Sequence, residues 1–169
     1  MITPRDAADA VTYLVAAGAT TARDAQGPVW ADYLNDQVPG GPDTGELRPA
    51  CRAAIRAWQD AGRAWQINVE HLAQAIRKGR SERIRAEEDA HGPLRPAGLD
   101  REPDTANRWL VAARRAIGTG HDRADAERLA WQAIGRQPPP PEIAMDNLVG
   151  PEKARAVLAA IAARKGIPR

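Results

Sequence analysis

Almost half of the apolar residues in this chain are alanine, and that shortage of larger side chains limits what it can build. Of 73 apolar residues 35 are alanine; Leu, Ile and Val together number 28, and Phe is absent from the 169 positions. Alanine is the best helix former but buries little surface. The sequence therefore favours helices joined by thin apolar stripes over sheets or a large core. So low an aliphatic content is typical of disordered chains only when net charge is also high, and here 24 basic residues nearly balance 22 acidic ones, for a net +2. The expectation is an all-α chain with a small helical core and tails that bury little.

No apolar run approaches the roughly 18 residues that span a bilayer, and the opening MITPRDAADA lacks a basic stretch followed by an apolar one. Cys51 is the single cysteine, which rules out an internal disulfide and a cysteine-built zinc site. These features predict a soluble, cytoplasmic protein with no membrane partner.

Four helices are predicted in the first half. Thr3-Pro4 opens one that ends at Gly18, with Ala7, Val11, Leu14 and Val15 on a single face. A second starts near Pro28, carries Trp30 and Leu34, and stops at the run Pro39-Gly40-Gly41-Pro42. The third, from about Glu46 to Ala61, has Leu47, Cys51, Ala54, Ile55 and Trp58 as its stripe. Asn68 caps a fourth that buries Leu72 and Ile76; beyond Ile84 it has little to bury and is expected to project or fray. Together these make a bundle domain over residues 3–88. Three prolines and two glycines without periodicity between His91 and Pro103 predict a linker, bounded as 89–103. Residues 104–169 then show three alanine-rich patterns, capped by Asp104 and Asp122 and opened by Pro151. Each stripe is too thin to offset its own ordering entropy. These helices must pack on one another, on the first domain, or on a partner.

Nothing in the chain assembles a catalytic site. His71, His91 and His121 are scattered, and there is no HxxxH or HExxH spacing, no cysteine pair and no glycine-rich phosphate loop after a strand. The expectation is a non-enzymatic protein without metal, cofactor or small-molecule substrate. Charge is more informative. Residues 46–85 hold nine bases and four acids, whereas the first 45 hold two arginines and six aspartates. Arg48, Arg52 and Arg56 are four apart and form one ridge on the third helix. With Arg77 and Lys78 on the fourth, they are the candidate nucleic-acid contacts, since such a ridge can track phosphates; the alternative is a solvated helix face. In the C-terminal part Trp109, Leu110, Ile117, Leu129 and Leu158 are the candidate partner contacts, on helices with few apolar residues of the kind that dock onto a partner. The other possibility is that these helices fold back on the first domain.

The order of features over residues 5–85 carries a resemblance. A short helix is followed by one with Trp30 and Leu34, then a helix with Ala50, Ala54 and Trp58, then Trp65-Gln66-Ile67 leading into the helix of Leu72 and Ile76. This resembles the helical N-terminal domain of phage replicative-helicase loaders, the loader-and-inhibitor family, and the string DRADAERLAWQAIGRQPPPP is similar to tails of small actinobacterial phage and prophage proteins. The resemblance implies a replication accessory protein without ATPase motifs. Its first domain would engage DNA or an origin-bound protein, and its C-terminal helices would grip a hexameric replicative helicase. Family members have a mostly unstructured C-terminal arm, whereas residues 104–165 here show three helix patterns. A different class of reading is a small DNA-binding regulator with a helix-turn-helix-like unit in residues 46–85 and the fourth helix as its recognition element.

Overall fold

In the computed structural model, residues 1–139 together with Arg155 and Leu158 are described. They form six helices: α1 (Pro4–Ala16), α2 (Gln26–Gln37), α3 (Thr44–Asp60), α4 (Val69–His91), α5 (Pro103–Thr119) and α6 (Arg123–Ala133), with no strand among the described residues. The starts follow local chemistry. Thr3 and Asp6, Asp43 and Glu46, and Asn68 and His71 each form a reciprocal capping box, and the Asp122 side chain accepts from the Asp125 N–H. These side chains satisfy backbone donors that a helix start otherwise leaves open. Two starts fall a turn or less earlier than the sequence predicts, at Gln26 and Thr44, and α5 is preceded by Glu102 rather than capped by Asp104.

There are two cores. The first gathers Leu14, Trp30, Leu34, Cys51, Trp58, Ile67, Leu72 and Ile76 from α1 to α4 and their connections. Gly27 lets α2 start hard against α1: a Cβ there would lie 2.9 Å from the Pro4 carbonyl oxygen and 3.0 Å from the Ala8 Cβ. The second gathers Trp109, Ala113, Ile117, Ala126, Ala130 and Trp131 from α5 and α6, with Leu94 and Leu99 from the loop before them. Helix α4 is 23 residues long, roughly 34 Å at the α-helical rise, and serves both cores.

Two expectations change here, and a choice left open is decided. The far end of α4 neither projects nor frays. Ile84 packs on the second core, and Glu88 pairs with Arg114 of α5 at 2.9 Å. The predicted linker is a shorter connection, 92–102, whose Leu94 and Leu99 are buried against α5 and α6. Local composition marked it as a breaker of helices, which it is, but two well-spaced leucines suffice to hold such a loop down. As for the choice, α5 and α6 bury their stripes against each other, with Trp109 and Trp131 edge to face at 5.9 Å between ring centroids. Of the last predicted helix, Arg155 and Leu158 are helical and exposed; its other residues lie outside the described ones.

Candidate nucleic-acid interface

The basic stretch 46–85 falls on α3 and the first part of α4, and tertiary contacts treat the two helices differently. The five bases of α4 within residues 77–85 all meet carboxylates. Arg77 pairs with Glu70 at 2.7 Å and donates to the Gln37 carbonyl, and Lys78 and Arg85 make exposed pairs with Glu82 and Asp89. Arg80 is buried. Its guanidinium clasps Glu46 at 2.7 and 2.9 Å and donates to the carbonyls of Pro39 and Gly41 at 2.8 Å each. Arg83 donates to the Glu46 Oε1 that also accepts from the Arg80 Nε, at 2.9 Å, and to the Gly118 carbonyl at 2.8 Å. Burial opposes the charge on Glu46. The Arg80 hydrogen bonds, the Asp43 N–H and the charges of Arg80 and Arg83 outweigh it and hold the carboxyl below its ordinary value. Glu46 thus joins α3, α4, the 39–41 turn and the end of α5.

Helix α3 is the reverse case. Arg48, Arg52, Arg56 and Arg63 are all exposed, and none has a carboxylate within 4.0 Å among the described residues. Two are held by aromatic faces instead: Arg48 sits 4.4 Å from the Tyr13 ring centroid and Arg63 5.3 Å from that of Trp58. Such contacts position a guanidinium without neutralising it. Arg63 lies past the end of α3, in a left-handed conformation (φ 60°) after Gly62. Of the predicted nucleic-acid contacts, the structure therefore leaves Arg48, Arg52 and Arg56 free for an anion. It places Arg77 in an intramolecular pair, and Lys78 on the exposed side of α4 beside Glu82.

Between α3 and α4 runs a groove of about 830 Å³. Pro49, Ala53 and Ala57 line one wall, Ala75 and Gly79 the other, and Arg56 stands at its edge. Trp65 and His71 close one end as a stacked pair, 4.1 Å between centroids at 15°.

The predicted partner contacts separate by burial. Trp109 and Ile117 are interior, at 1% and 3% exposure, so neither is a surface anchor in this fold. Leu110 and Leu129 are half-buried against the same core, and Leu158 is exposed. Val111 of α5, not among the predicted contacts, is 61% exposed.

Other chemistry is sparse. Cys51 is buried against α1, and burial pushes its thiol up to about 11. Among the described residues no three His, Cys, Asp or Glu side chains converge as metal ligands, and no helix is long and apolar enough to cross a membrane. No protein-family model, curated protein or solved structure matches the chain.

Proposed function

We propose that this chain is a non-enzymatic phage or prophage DNA-replication accessory protein that contacts nucleic-acid phosphates through α3 and binds the hexameric replicative helicase. The observation that carries the phosphate contact is the division of arginines: those of α4 are consumed internally, while Arg48, Arg52, Arg56 and Arg63 face solvent without carboxylate partners among the described residues. Arg5, Arg23, Arg95, Arg101, Arg108 and Arg115 also lack a carboxylate within 4.0 Å among the described residues, but they are scattered, whereas Arg48, Arg52 and Arg56 stand four apart on one helix face, a row suited to a polyanion. The helicase rests on the resemblance. It is supported by the way residues 5–85 share one core in which Trp30, Leu34, Trp58 and Ile76 all turn inward. Helicase contact would fall to the exposed apolar positions of the C-terminal part, Val111 and Leu158, and not to the buried Trp109.

A helix-turn-helix reading has less support. A recognition helix must offer its free face to the groove, and the exposed face of α4 carries Gln74, Glu82 and Asp89 among its bases, with Lys78 beside Glu82 and Arg85 beside Asp89.

The test is the triple variant Arg48→Ala/Arg52→Ala/Arg56→Ala. It should bind DNA of any sequence more weakly, and the slope of log affinity against log salt should flatten by up to about 0.9 per lost contact. Its melting temperature should barely move, since exposed arginines contribute little to stability. Equal DNA affinity at low salt would refute the phosphate contact. Recovery of a replicative helicase on the purified chain from host lysate, identified by mass spectrometry, tests the other half; its absence there would refute the helicase assignment.

A further inference from the structure

The arginine row and the α3–α4 groove have opposite electrical characters. The row of Arg48, Arg52 and Arg56 is cationic, with Asp60 one step beyond it at the end of α3. In the groove the charges cancel: Arg56, Lys78 and Arg83 are matched by Glu46, Asp60 and Glu82, with Glu46 already held by Arg80 and Arg83 and Glu82 beside Lys78. Its walls are alanine, glycine and proline, and its closed end is the half-buried Trp65 stacked on His71. Arg56 belongs to both features.

We propose that this surface takes single-stranded nucleic acid, with phosphates on Arg48, Arg52 and Arg56 and bases turned into the α3–α4 groove toward the Trp65–His71 pair. The proposal rests on the phosphate-binding reading above and specifies its ligand. A duplex presents charge outward and keeps its base faces stacked inside, so it meets the arginines alone and leaves the groove idle. A single strand is itself two-sided, a charged backbone with flat, uncharged, stackable bases, and it is bound where a cationic track runs beside aromatic faces. Arginines four apart on a helix rise by roughly 6 Å per step, a repeat that suits successive charges of an extended strand. The groove volume of about 830 Å³ lies in the range that accommodates compact organic ligands, room for a short run of bases and none for a second strand. Neutral lining is what a base requires, because a net charge there would favour phosphate or repel it.

The test uses the full chain with two fluorescent probes of equal phosphate count, an oligo-dT strand and a blunt hairpin duplex, read by anisotropy at low salt. The strand is expected to bind at least ~5-fold more tightly, the effect of about one stacked base. Ala57→Met narrows the groove at an exposed position without changing charge. It should remove that preference, leaving duplex affinity and the salt slope unchanged, and His71→Ala should act in the same direction. Equal affinity for strand and hairpin, with both variants silent, would overturn the single-strand assignment while the phosphate reading stands. No binding of either probe would overturn both. Loss of helicase capture by Ala57→Met with strand affinity intact would give the groove to a protein segment and overturn the proposal as well.

Discussion

Trp109→Ala discriminates most sharply between a chain with a docking tail and one with a second core. The indole is 1% exposed and meets Trp131 edge-on, with Leu94, Leu99 and Ala113 in the same cluster. A buried Trp removes about 150–250 Å² from water, which at ~25 cal/mol/Å² is about 4–6 kcal/mol as an upper bound. Against that, its Nε1–H is buried without a hydrogen-bond acceptor among the described residues, a desolvation cost of about 1–3 kcal/mol that the variant escapes. The net loss is about 3 kcal/mol, at the lower edge of what Trp truncations cost in cores. For a chain of this size that corresponds to a drop of roughly 6–12 °C in melting temperature. Thermal unfolding followed by circular dichroism measures it, with Val111→Ala as the control. Val111 is on the same helix but 61% exposed, and its truncation should shift stability by less than about 0.5 kcal/mol. A Trp109→Ala protein melting within a degree or so of its parent would refute the second core and return Trp109 to the surface.

Two further outcomes follow from the polar interior. Glu46→Gln should destabilise the fold by about 3 kcal/mol, because Arg80 keeps its buried charge and loses its counter-charge. Since the Glu46 carboxyl is held below its usual 4.5, its contribution is present above that pH and fades as pH falls through the lower folded-state value. Denaturant midpoints taken at descending pH should therefore show a shallower acid limb in Glu46→Gln than in the parent; identical limbs would contradict the pairing. Cys51, buried with its thiol pushed up to about 11, should resist iodoacetamide at neutral pH in the native protein and react fully in concentrated guanidinium. Rapid native labelling would count against its placement between α1 and α3.

The helices themselves were largely legible because their signals are short-range. Thr3-Pro4, Asn68 and Asp122 sit where a helix start needs a side-chain acceptor, and the structure uses each of them. The arginine ridge on α3 was legible for the same reason, since positions four apart share a face whatever the rest of the chain does. Arg77, Arg80 and Arg83 look no different in sequence from Arg48, Arg52 and Arg56. What separates them is Glu70, seven residues back, and above all Glu46, 34 and 37 residues away. Pairings of the second kind have no local signature.

Composition and periodicity by themselves determined an all-α chain, poor in large aliphatics. Helical propensity and capping act within one or two turns, so they can be read along the chain. Only the tertiary structure decided that the thin stripes of α5 and α6 are sufficient together. Two tryptophans and two loop leucines make a core that neither helix has alone. Only the tertiary structure, too, decided which arginines remain outside. Glu46 is drawn into the junction of α3, α4 and the 39–41 turn, and its burial there is tolerable only with two guanidiniums beside it. That requirement takes charge away from α4 and leaves the row on α3 facing solvent.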